Sequence, residues 1–141
     1  MNTDGVPSSE HARQLVERAR AIRRAGDSAA SLTLYRQATT AFGEDPSGRA
    51  HCLRHIGDLE RELGRPAEAR EALHEAESLY RTSVNDVLSL ANTLRLLAIL
   101  DGDRAMWQDA RSLYQKAGIE TGLDLRAAFA ECDKHLAADP G

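Results

Sequence analysis

Three times along this chain the same residue types return in the same order, and that recurrence limits the fold more than any other property. Leu15, Leu53 and Leu94 each stand eleven residues before Gly26, Gly64 and Ala105. From each of those, five residues on gives Ser31, Ala69 and Ala110, four more give Tyr35, Leu73 and Tyr114, and three more give Ala38, Ala76 and Ala117. A unit written three times marks stacked supersecondary modules, each too small to bury its apolar face alone. Within a copy the spacing is helical. A large apolar residue is followed three and four positions later by an apolar and a small one, which puts them on one stripe. Gly or Ala is expected at the bend, and beyond it small, large and small residues at i, i+4 and i+7 let two helices approach.

The middle copy reads L-x-x-I-G from Leu53 to Gly57, then Gly64, then A-x-x-x-L-x-x-A from Ala69 to Ala76, and it resembles the tetratricopeptide repeat. The departures are specific. Leu stands where the family has Trp, and Ile22, Glu60 and Asp101 stand where it has Tyr. Gly26 to Gly64 spans 38 residues and Gly64 to Ala105 spans 41, against about 34 in the family. Arg18 occupies the apolar column of Ile56 and Leu97, as suits a terminal repeat whose outer face meets water. The resemblance implies an all-α fold, a right-handed α-α superhelix of three antiparallel helical hairpins at about 12–45, 50–83 and 84–122, closed by a capping helix at about 124–138 in a single domain over 1–141.

Along the chain the sequence predicts seven helices. Met1 to Ser8 is expected to be a frayed tail, with Ser8 or Ser9 capping a helix that runs to Ala25. The second runs from Ser28 to Phe42 and the third follows Ser47 to Leu63. Pro66 suits the first turn of a fourth ending near Thr82. Ser83 with Asp86 resembles a capping box for a fifth ending near Asp101. Asp103 starts a sixth reaching Ala117. The seventh follows Asp124 and carries Leu125, Phe129, Cys132 and Leu136 on one face, with Arg126, Glu131 and Lys134 expected in solvent.

Composition fits that architecture: 42% of 141 residues are hydrophobic but only 4% aromatic, which suits Leu and Ala layers. No basic segment leads into an apolar run at the N-terminus and no long apolar stretch occurs, so the expected location is the cytoplasm. Two distant cysteines, Cys52 and Cys132, make no disulfide framework and read as small helical residues. Trp107, beside a bend, reads as packing, as do Tyr35 and Tyr114. The acidic positions of the fourth helix, Glu68, Glu71, Glu75 and Glu77, read as a solvated convex face.

No phosphate loop, nucleophile elbow or C-x-x-C is present, so neither an enzyme nor a cofactor is expected. His51, His55 and Asp58 share one helix face and could ligate a divalent transition metal if a further ligand completed the shell. The plainer reading is a polar face lining a groove, with no metal. The resemblance implies that the first helices of the repeats line a concave surface. On that mapping the groove holds Arg13, Val16, Glu17, Arg20, Arg23 and Arg24, then His51, Arg54, His55, Asp58, Arg61 and Glu62, then Asn92, Arg95, Leu96, Ile99 and Asp103. Seven Arg face four carboxylates there, while the whole chain carries −4. Guanidinium forks suit an acidic segment or a C-terminal carboxylate. The expected partner-binding residues are Arg13, Arg20, Arg24, His51, Arg54, His55, Asp58, Asn92 and Arg95, in an adaptor that holds a protein or peptide. One version of the family grips chaperone C-termini, but those clamp positions carry Val16, Arg20, His55, Asn92 and Leu96 here, so chaperone docking is not implied. The alternative is a self-associating scaffold or regulatory subunit using apolar flanks such as the exposed side of the first repeat. The negative charge and few aromatics disfavour nucleic acid.

Overall fold

A computed structural model describes residues 5–137, with side chains from residue 9 onward. Among the described residues the chain is all-α, with seven helices: α1 (Gly5–Arg24), α2 (Ser28–Phe42), α3 (Pro46–Glu62), α4 (Pro66–Thr82), α5 (Val87–Asp101), α6 (Arg104–Thr121) and α7 (Arg126–Ala137). Each helix packs on its successor, most extensively α3 on α4, α1 on α2 and α5 on α6. α3 also touches α5. This neighbour-to-neighbour packing fits a helical solenoid. None of the described helices is long and apolar enough to cross a membrane.

The recurring columns form the core. Leu15, Leu53 and Leu94, Ser31, Ala69 and Ala110, Tyr35, Leu73 and Tyr114, and Ala38, Ala76 and Ala117 are all buried, none more than 8% exposed. The small members set how closely the helices approach. At Gly57 an added Cβ would lie 2.4 Å from Leu73 Cγ and 3.2 Å from the Ala69 carbonyl oxygen, so α3 and α4 meet where α3 has no side chain. Ser31 replaces alanine in the first copy and is satisfied by donating to the Ala19 carbonyl at 2.8 Å, which removes the penalty of a buried hydroxyl.

Local signals explain most helix ends. Asp27, Asp86 and Asp103 cap α2, α5 and α6, accepting from the backbone N–H of Ala30, Ser89 and Ala105. Pro66 opens α4. Several expected ends differ. α1 begins at Gly5 rather than at Ser8 or Ser9, because Pro7 is tolerated in a first helical turn; Met1 to Asp4 of the expected tail lie outside the described residues. Ser83 closes α4 instead of opening α5, and Asp86 with Ser89 forms the cap. Ala105 is not at a bend: it lies inside α6, and the turn comes three residues earlier at Gly102, whose φ of 65° is left-handed. α6 runs four residues past Ala117, to Thr121, and the expected capping helix starts at Arg126.

Candidate functional site

α1 and α3 place their polar faces side by side. Arg23 is the hub, its Nη2 donating at 2.8 Å both to Asp58 and to Glu62. Asp58 also accepts from Arg61 at 2.6 Å. Burial would raise the Asp58 pKa, but the bonds from Arg23 and Arg61 outweigh that and hold it below the usual carboxylate range. This network neutralises two of the arginines expected to give the face its charge.

One turn back along α3, the chemistry changes. His55 lies flat against Tyr35 of α2, with centroids 4.9 Å apart and planes 5° from parallel. His51 meets His55 edge to face at 4.6 Å. Burial, and next the neighbouring Arg54 charge, push His51 down to about 4 and His55 down to about 3, so both rings are neutral near pH 7. Arg23 Nη1 lies 3.5 Å from His55 Nδ1. A guanidinium can only donate, which makes Nδ1 the acceptor and assigns the ring proton to Nε2. His55 Nε2 and Arg54 Nε are then buried N–H donors with no acceptor, the only side-chain atoms so placed among the described residues. Buried donors normally find partners. Arg54 and His55 are consecutive along α3, and their two N–H groups lack an acceptor among the described residues.

The histidines make stability pH-dependent. Unfolded imidazoles protonate near pH 6.5, whereas the folded ones stay neutral to about 4 and 3. Stability is therefore undiminished above about pH 6.5 and is lost as the pH falls toward 4, because only the unfolded state takes up those protons. The urea midpoint is expected to drop between pH 7 and 4.5, and to drop less in a His51→Gln/His55→Gln variant.

The nine expected site residues divide into two groups. Arg13, Arg20, Arg24, His51, Arg54 and His55 lie on α1 and α3. Arg13 and His51 line a cavity of about 290 Å³ with Phe42, Asp45, Tyr80 and Asp86. Arg20 makes one ion-pair contact, 3.6 Å to Glu17, and Arg13, Arg24 and Arg54 have no ion-pair partner among the described residues. The other three are engaged internally. Asp58 is held by Arg23 and Arg61, Asn92 accepts the Tyr114 hydroxyl at 2.6 Å, and Arg95 donates to Glu131 of α7. Glu131 is thus not the solvent residue its helical position suggests. Val16 and Leu96, placed in the groove by the repeat mapping, are instead buried in the core. Tyr35, read as packing alone, also shapes the site through His55. Tyr35 belongs to the recurring column that continues in Leu73 and Tyr114, so its place in the packing pattern hid its second role.

His51 and His55 do meet, but Asp58 turns to Arg23 and Arg61, and no group of three His, Cys, Asp or Glu able to hold a metal occurs among the described residues. On the other side of α3, Glu68, Glu71 and Glu75 rim a cavity of about 410 Å³. Its floor includes Leu53 and Ile56, and Arg49 already donates to Glu75 at 2.5 Å. No family model, no characterised protein and no solved structure matches the chain.

Proposed function

We propose that the protein is a tetratricopeptide-like adaptor, three helical hairpins and a cap, whose concave face on α1 and α3 holds an acidic segment or the C-terminal carboxylate of a protein partner. One observation carries the reading: the two buried donors of α3 without acceptors, Arg54 Nε–H and His55 Nε2–H, together with Arg13 and Arg24 of α1, which have no ion-pair partner among the described residues. A shift of the Arg54 and His55 side chains that uncovers these donors lets a carboxylate accept from them and meet the charge of the arginines, and charge-assisted bonds of this kind are among the stronger ones. The neutral histidines add donors without adding charge, so the site reads hydrogen-bond geometry as well as field. The third-repeat residues Asn92 and Arg95 contribute less, because Tyr114 and Glu131 already occupy them.

Fluorescence polarisation with a labelled ten-residue Glu-rich peptide, free at its C-terminus, tests this. Arg54→Glu is expected to weaken binding at least about tenfold, or about 1.4 kcal/mol, and Arg20→Glu to weaken it less. Arg95→Glu is expected to have the smallest effect. Amidation of the peptide C-terminus separates an acidic stretch from a terminal carboxylate as the feature held. Absence of saturable binding, or equal affinity for Arg54→Glu and the unaltered protein, would sink the reading.

A further inference from the structure

α7 is held differently from the other helices. Cys132 is its one buried residue, with Leu125, Phe129 and Leu136 only partly covered. Arginines of α5 and α6 do much of the holding. Arg95 donates to Glu131, Arg104 to the Leu136 carbonyl, and Arg111 to Asp133 at 2.6 Å while its guanidinium lies 5.2 Å from the Phe129 ring centroid. The Trp107 indole stacks on His135 at 3.9 Å and 6°. Apart from the Arg95 bond, these contacts run to α6, and α7 has extensive packing with no other helix. α7 is an amphipathic helix docked on a receptive face by a short tether.

The tether is residues 122–125. It turns through Gly122, whose φ of 73° is left-handed and whose surroundings leave open space for a Cβ. No proline lies between residues 104 and 137, so a helical conformation at Gly122 and through residues 123–125 would fuse α6 and α7 into one helix of about 50 Å. Ile119 and Leu123, 79% and 53% exposed, are the exposed large hydrophobic residues among those described, and both flank this turn. The described residues leave most of Ile119 and about half of Leu123 uncovered.

We propose that α7 exchanges between two copies of the chain: with Gly122 straightened, each copy's α7 docks on α5 and α6 of the other. Every contact of α7 is then kept in trans, the partner's Glu131 completing Arg95. The two hinges run past each other, and Ile119 and Leu123 of each are covered by the other. Exchange of an identical element is a low-cost route to dimers because the contacts already exist, and a short hinge invites it. The second copy is the occupant because it alone carries α7 and a matching pair of exposed hinge residues. The inference does not depend on the groove reading, since Arg95 meets a Glu131 in either form.

Light scattering on size-exclusion fractions tests it with three variants. In Arg95→Glu alone and in Glu131→Arg alone, like charges face each other in cis and in trans, and each is expected at the 15.4 kDa chain mass. Unfolded in urea, mixed and refolded together, they form matched pairs only across two chains, so the mixture is expected at twice that mass. Gly122→Ala strains the turn but not a straight helix, and it is expected to raise the dimer association constant of the otherwise unaltered chain about tenfold or more. A mixture that stays at the single-chain mass overturns the proposal. So does a dimer that forms equally well in either charge variant alone, which would place the interface elsewhere. Should a charge variant not fold, Gly122→Ala decides alone: no gain in association overturns the exchange.

Discussion

Gly57→Val is expected to remove about 3 kcal/mol of stability or more, the largest loss foreseen for a change of so few atoms. The first added carbon would lie 2.4 Å from Leu73 Cγ and 2.6 Å from its Cδ2. Leu73 has no exposed surface through which to retreat, and the Ala69 carbonyl 3.2 Å away belongs to the α4 backbone. α3 and α4 must therefore separate, and overpacking of a tight core costs about 1–3 kcal/mol for even modest insertions. Valine adds a further loss through its stiff χ1 in a helix. Gly57→Ala is expected to lose less, since alanine regains about 1 kcal/mol of helix propensity. Urea denaturation measures both. Unchanged midpoints would mean that the α3–α4 approach is looser than described.

Tyr35→Ala is expected to lower stability by about 3–5 kcal/mol, the range for deleting a buried aromatic ring. Its side chain is 1% exposed, and the ring supports His55 from the α2 side. The loss should be visible as a fall in melting temperature of roughly 10 °C or more. Because His55 is released with it, affinity for the acidic peptide is expected to fall even at temperatures where the variant is fully folded. Tyr35→Phe keeps the stack and should retain both properties. A Tyr35→Ala variant that is destabilised but binds normally would separate the packing role of the ring from the site.

Much of the fold was legible because helices of this kind are specified by short-range pattern. Pro66 at the start of α4, Asp103 before α6, and the Leu125, Phe129, Cys132 and Leu136 stripe each act within a turn or two of their own helix. The misplaced ends show where such signals compete. Ser83 and Asp86 are both good caps three residues apart, and Asp86 prevails because Ser89 supplies it with two donors. Ala105 repeats the chemistry of Gly26 and Gly64 without their backbone freedom, so the turn moves to the glycine available at position 102.

The site was half legible for a related reason. Arg20, Arg54, His51 and His55 were found because they break the repeat, and residues that do not repeat are free of the packing pattern. The sequence could count those arginines but not pair them. Arg95 lies 36 residues from Glu131 and Arg23 lies 35 from Asp58, and no local rule joins partners so far apart.

The sequence by itself therefore determined that this protein is helical and that the recurring columns form its core, because apolar periodicity and capping are local and are written into consecutive residues. Only the tertiary structure decided which charges remain available. An ion pair depends on where two distant helices come to lie, and burial at that meeting sets both the neutral state of His51 and His55 and the two donors left without acceptors.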